Sequence, residues 1–142
     1  MKPAHIGQIL AIENDAFKSP WRREHFEHEI AETRYARCSV VLLGEEVLAY
    51  ACVWELHEEF KINNIAVREE RRGRGLGGWL LDRLLDHARR AGCRVAQLEV
   101  RPSNNAALKL YARRGFVLAG RRRGYYQREG EDALLMEADL GV

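Results

Sequence analysis

Two periodicities of apolar and polar positions run along the chain, and the switches between them mark its elements. Ile6, Ile9, Leu10, Glu13 and Phe17 follow the spacing of one helix. Ser19-Pro20-Trp21 restarts the chain, with serine as N-cap and proline at the first helical position. Phe26 and Ile30, four apart, carry this second helix to about Thr33. Residues 39–43 and 47–56 are β-rich runs separated by Gly44-Glu45-Glu46, which predicts a hairpin. Residues 61–67 predict a third strand. Beyond a glycine- and arginine-rich turn, Leu80, Leu81, Leu84, Leu85 and Ala88 form a helical stripe that Gly92 closes. Residues 94–101 predict a strand. Pro102-Ser103-Asn104 breaks it and opens a helix over about 105–114, closed by Gly115. Residues 116–123 and 133–139 predict the last strands. The order is ααβββαβαββ, or ααββββαβαββ with an extra β segment near residue 36. Either gives a mixed α/β sheet with one central strand–helix–strand unit.

Length and composition narrow the classes. The chain has 142 residues, the length of one domain with a substantial core, so residues 1–142 are expected to form a single domain. At 46% hydrophobic and 31% charged it is not a disordered chain. Its 23 basic and 21 acidic residues leave a net charge of +2, without the basic excess of a dedicated nucleic-acid binder. Cys38, Cys52 and Cys93 are odd in number and lack metal or redox spacing, as expected of buried free thiols in a reducing compartment. His25 and His28 share a helix face with no third ligand, so no metal is expected. No apolar run has the length of a signal peptide core or a membrane span, which points to a soluble, cytoplasmic protein.

The candidate chemistry centres on Arg71-Arg72-Gly73-Arg74-Gly75-Leu76-Gly77-Gly78. Glycines let backbone approach a ligand and take positive φ. The helix that follows offers unpaired N–H groups and a partial positive charge. The ligand expected there carries phosphates. A P-loop would end in Gly-Lys-Ser or Gly-Lys-Thr, which is absent. Gly73, Gly75 and Gly78 have the spacing of a dinucleotide fingerprint, but Arg101-Pro102-Ser103-Asn104 does not continue it as a ribose site. An arginine-rich surface turn is the structural alternative.

Arg72-Gly73-Arg74-Gly75-Leu76-Gly77 resembles the Arg/Gln-x-x-Gly-x-Gly/Ala signature of the GCN5-related N-acetyltransferases (GNAT), and Asn64-Ile65-Ala66-Val67 resembles the strand before it. Leu98-Glu99-Val100-Arg101-Pro102-Ser103-Asn104, Ala107-Leu108-Lys109-Leu110-Tyr111, Gly115-Phe116, Arg122-Arg123-Gly124-Tyr125-Tyr126, Glu131-Asp132-Ala133 and Met136 are similar to the RimI-like branch. So are Ile12-Glu13, Phe17 and Pro20-Trp21 near the start. Pro102 and Trp79 are less usual at their positions. The resemblance spans nearly the whole chain. It implies a GNAT-type, mostly antiparallel mixed sheet flanked by helices. It also implies an enzyme that uses acetyl-CoA to acetylate the N-terminal alanine of small-subunit ribosomal protein S18.

The resemblance further implies roles for single residues, each with a plainer reading beside it. Glu99 corresponds to the general base, and by pattern alone is a solvated glutamate beside Gln97 and Arg101. Tyr111 corresponds to the general acid at the departing sulfur, and by periodicity alone is a core aromatic. Ile65, Ala66 and Val67 correspond to backbone contacts of acetyl and pantetheine, with an N–H near Val67 facing the oxyanion. Arg72, Gly73, Arg74, Gly75, Leu76, Gly77 and Gly78 correspond to the pyrophosphate site. Asn104 corresponds to a cofactor contact, or caps a helix beside Ser103. Tyr125 and Tyr126 are candidates to line the acceptor groove, and Glu55, Glu58 and Glu59 either form a solvated loop or attract a basic peptide. Other readings stay open: another terminus, a lysine or a small amine as acceptor; a non-catalytic acetyl-CoA-binding module; or an RNA-binding module through Arg121-Arg122-Arg123 and its tyrosines.

Overall fold

A computed structural model describes residues 1–32, 34–126 and 131–141, the side chains of 122–126 and 131 aside. Its elements are α1 (Ile6–Ala16), α2 (Arg23–Ala31), β1 (Ala36–Leu43), β2 (Glu46–Leu56), β3 (Glu59–Val67), α3 (Leu76–Arg90), β4 (Val95–Val100), α4 (Asn105–Ala112), β5 (Val117–Tyr126) and β6 (Glu131–Asp139). The strands form one mixed sheet in the order β1-β2-β3-β4-β6-β5. β3 and β4 are parallel, joined through α3, whereas β1–β2, β4–β6 and β5–β6 are antiparallel. The chain divides into two compact units, Met1–Glu55 with Asn63–Leu81 and Leu56–Ile62 with Asp82–Val142.

In the first unit, Ile6, Ile9 and Ile12 of α1 pack with Phe26 of α2 and with Val47, Tyr50, Cys52 and Ala66 of the sheet. One member of the α1 stripe is charged, and it is as buried as its apolar neighbours: Glu13 is 1% exposed. Its carboxylate accepts hydrogen bonds from the Tyr50 hydroxyl, from Asn64 Nδ2 at 2.6 Å and from the Trp21 backbone N–H at 2.9 Å. Such partners are what a buried charged or polar group requires. The Trp21 bond also explains a departure from the sequence pattern. Ser19-Pro20 does not start a helix; Glu13 accepts from the Trp21 N–H, and α2 begins at Arg23 with an extended Arg22 as N-cap. The β segment near residue 36 is the first part of β1 itself. β1 and β2 make Cys38 and Cys52 direct cross-strand partners, and none of the three cysteines is in a disulfide.

In the second unit, burial alternates along the strands. Ala96, Leu98 and Val100 of β4 and Met136 and Ala138 of β6 are buried, while Gln97, Glu99, Leu135 and Glu137 lie on the other face, half-buried. The α3 stripe is buried as its spacing requires, Leu84, Leu85 and Ala88 among it. α4 ends in a paired-bond motif at Gly115 (φ 87°): the Gly115 N–H donates to Ala112 and the Phe116 N–H to Tyr111. The contact that usually accompanies this motif is present, the Phe116 and Tyr111 rings lying 5.7 Å apart.

Burial raises the Glu13 carboxyl above its usual 4.5, against the lowering effect of its three donors and of nearby His25. A group whose folded pKa is raised contributes stability that is fully present below its unfolded pKa and is lost as pH rises through the folded one. The stability advantage of the native chain over Glu13→Gln is therefore largest below about pH 4.5 and narrows as pH rises, measurable by urea unfolding across pH. Glu13→Ala leaves buried donors without an acceptor and lowers stability by about 3 kcal/mol at neutral pH.

Candidate active site

The candidate residues of the first unit lie on one continuous stretch. β3 pairs with β4 from Glu59↔Val95 to Ile62↔Leu98, where the ladder stops. From there to Val67 the strand carries Asn63, Ile65 and Val67 half-buried on one face, with Asn64 and Ala66 buried on the other. Asn64, through Glu13, ties this stretch to α1 and β2. The Val67 carbonyl accepts from Arg72 Nε at 3.0 Å, and Arg72 Nη2 reaches Asp15 at 3.1 Å. The Arg72 guanidinium thus clamps the glycine turn to the strand. This brace was not legible in the sequence, where Arg72 reads as a ligand contact.

The turn itself fits a phosphate group. Gly73 and Gly75 have φ of 77° and 81°, and a Cβ at either would meet nothing within 4 Å. Glycine is needed there by backbone conformation, not by crowding from the chain. Residues 72–75 are exposed. The Trp79 N–H makes a helical bond to Gly75, so the N–H groups of Leu76, Gly77 and Gly78 begin α3 without an intrahelical partner. No acidic side chain occupies the first turn of α3, and the last turn holds His87, Arg89 and Arg90. An external anion is the complement this helix start lacks.

In the second unit, Glu99 is the first β4 residue beyond the ladder with β3 and pairs with Leu135 of β6. It lines a cleft of about 210 Å³ with Lys61, Gln97, Leu98, Leu135, Met136 and Glu137. One register row across three strands holds Lys61, Gln97 and Glu137, and Gln97 Nε2 donates to Glu137 Oε1 at 3.1 Å. Gln97 and Glu137 join Glu99 in this cleft; strand alternation puts Gln97 beside Glu99, but only the β6 register brings Glu137 there. Tyr111, 7% exposed, packs on Phe116 and is set by the α4 terminus. Asn104 accepts from the Ala107 N–H at 3.2 Å and is the N-cap of α4.

Other sequence candidates fall elsewhere. His25 stacks on Trp21 with ring centroids 4.2 Å apart. Glu58 faces Arg94 at 3.6 Å and Glu55 faces Arg37 at 3.5 Å. Arg121 reaches Asp132 at 3.3 Å, while the side chains of Arg122, Arg123, Tyr125 and Tyr126 lie outside those described. Among the described residues there is no cluster of potential metal ligands, and no helix is long and apolar enough to cross a membrane.

Comparison with known proteins gives the class to which this chain belongs. The acetyltransferase (GNAT) family model matches residues 6–116, and the chain belongs to that family of acetyl-CoA-dependent N-acetyltransferases. Within it, the chain is 36% identical over 133 residues to the Escherichia coli (strain K12) ribosomal protein bS18-alanine N-acetyltransferase, covering 92% of this chain and 88% of that one. It is 38% identical over 130 residues to the N-alpha-acetyltransferase RimI of Mycobacterium tuberculosis, covering 86% and 77%. The crystal structure of the ribosomal-protein-S18-alanine N-acetyltransferase from Escherichia coli matches with a TM-score of 0.90 at 30% identity, over 100% of this chain and 92% of that one.

Gly75→Glu introduces a side chain at positive φ and a negative charge at the start of α3. Calorimetry with CoA should show at least a hundredfold loss of affinity. The fold should persist, with a stability loss of about 1–2 kcal/mol from the left-handed conformation. Gly75→Ala separates the two effects, sharing the strain without the charge.

Proposed function

We propose that this chain transfers the acetyl group of acetyl-CoA to the α-amine of a protein N-terminus, with the N-terminal alanine of ribosomal protein bS18 as acceptor and the cytoplasm as its site. The observation that carries this reading is 36% identity to a bS18-alanine N-acetyltransferase over nearly the full length of both chains. Acetyl-CoA supplies an activated acyl group on a good leaving sulfur. The turn formed by Arg72, Gly73, Arg74, Gly75, Leu76, Gly77 and Gly78 holds its pyrophosphate. Ile65, Ala66 and Val67 hold acetyl and pantetheine through backbone groups, and Asn104 adds a cofactor contact beside its cap.

Three charge movements then need protein groups. Glu99 takes the proton from the acceptor ammonium, directly or through a water. The Val67 N–H stabilises the carbonyl oxygen as it gains charge. Tyr111 donates a proton to the departing sulfur; its packing on Phe116 holds the phenol in one orientation. An α-amine titrates near 7.7–8.0 and a lysine near 10.4, so neutralising the lysine costs roughly 3.4 kcal/mol more. A single carboxylate base therefore suits a terminus better than a lysine.

A peptide with N-terminal alanine and an internal lysine tests the acceptor. The free peptide should gain one acetyl group, located by fragmentation on the α-nitrogen, and a formyl-blocked control should gain none at a comparable rate. Acetylation of the blocked peptide on lysine at the same rate would refute the terminus reading. Glu99→Gln should lower kcat by about 10²–10⁴-fold at pH 7 with little change in acetyl-CoA affinity. That deficit should shrink as pH passes the acceptor's own pKa of roughly 8.

A further inference from the structure

Cys38 and Cys52 take no part in the chemistry proposed above, and the strand register sets them opposite each other. One backbone bond tells which kind of pair they are. The Glu55 N–H donates to the Tyr35 carbonyl at 2.8 Å, one step beyond the Ala36↔Trp54 pair. Tyr35 and Glu55 are therefore a hydrogen-bonded pair, and the two kinds of pair alternate along an antiparallel ladder. Arg37↔Val53 is then hydrogen-bonded, and Cys38↔Cys52 is of the other kind. In that kind the Cα atoms lie about 4.5 Å apart and the side chains are closest. A disulfide spans Cα separations of roughly 4.4–6.8 Å, so this pair can be bridged with the strands where they are.

The two thiols are also unlike each other. The Cys52 thiol donates a hydrogen bond to Cys38 and holds it below its usual range, against the opposing effect of burial. The same contact, with burial, pushes Cys52 up. Cys38 is half-buried on β1, an edge strand of the sheet, whereas Cys52 on β2 is 1% exposed. Exchange with a disulfide begins with attack by a thiolate that the reagent can reach, which here is Cys38.

We propose that Cys38 and Cys52 form a reversible redox modification site, where a small aliphatic disulfide of the glutathione class converts the pair to an intramolecular disulfide joining β1 to β2. This site is independent of the acetyl-transfer reading. First the Cys38 thiolate attacks one sulfur of the reagent; the reagent's S–S bond breaks, a mixed disulfide forms on Cys38, and one thiolate leaves with the Cys38 proton. Then Cys52 gives up its proton and attacks Cys38 Sγ, and the second thiolate leaves with that proton. The protein loses two electrons and two protons, and the reagent becomes two thiols. Excess thiol runs both steps backwards. Protein disulfides in reducing compartments are of this transient, redox-sensing kind.

Oxidised glutathione and the native chain test this. The chain should lose two hydrogen atoms in mass, peptide mapping without reductant should join Cys38 to Cys52, and dithiothreitol should restore the original mass. Cys93, buried with its thiol donating to the His57 carbonyl at 3.4 Å, should stay a thiol. Cys52→Ser removes the second attacking sulfur, so the reaction should stop with one glutathione on Cys38. Cys38→Ser should react at least about tenfold more slowly than the native chain, because its remaining partner is buried. Circular dichroism checks that both variants are folded. A folded native chain that keeps its mass and its thiols overturns the proposal. So does one that holds glutathione on Cys38 with Cys52 still a thiol, or that links either cysteine to Cys93 or to a second copy of the chain.

Discussion

The carboxyl group of Glu13 is the point on which the first unit turns. One side chain, buried on the apolar face of α1, receives hydrogen bonds from β2, from β3 and from the segment leading into α2. Hydrophobic burial is non-directional and would let these elements slide. Three bonds converging on one carboxyl group fix their register. Burial also pushes the Tyr50 hydroxyl up, so that it stays a donor to Glu13. The bond to Asn64 also fixes the strand just before Ile65, Ala66 and Val67, the residues proposed to face the acyl donor. A polar group that costs free energy to bury thereby sets the position of the strand that leads into the glycine turn.

The same division of labour recurs at the other candidate residues. Arg72 has the composition of a phosphate ligand, yet its guanidinium is spent on the Val67 carbonyl and Asp15, holding the turn against the strand. The groups this leaves at the proposed pyrophosphate site are backbone N–H donors, which have no rotamers to lose. Tyr111 is likewise held by backbone: the α4 terminus bonds its carbonyl to Phe116 and brings the two rings together. Asn104 caps the same helix at its other end.

Much of the fold was legible because local rules and global structure agree. The α3 stripe, the hairpin, the strand after Gly92 and the helix closed by Gly115 follow from periodicity and terminal glycines, signals carried within a few residues. The failure at Ser19-Pro20 shows the limit. Its cap and proline are a sound local helix start, overridden by a hydrogen bond from Trp21 to a glutamate eight residues earlier. Cys38 and Cys52 have no motif spacing, yet the strand register makes them neighbours.

At the site, sequence alone determined the residue types that carry a short-range signature: the glycine turn before α3, Glu99 on its strand, Tyr111 on its helix, and through them the family. Those choices are local, because a left-handed turn or a helix start is made by consecutive residues. Tertiary structure alone decided the rest. Nothing near Glu13 in the chain says that its partners are Tyr50 and Asn64, nor near Gln97 that Glu137 stands beside it. Nor does anything in Asn63-Asn64 say which amide is satisfied and which is left with its donor unpaired. Partnership between residues 37 to 51 positions apart is set by strand register and helix docking, and those are properties of the packed chain as a whole.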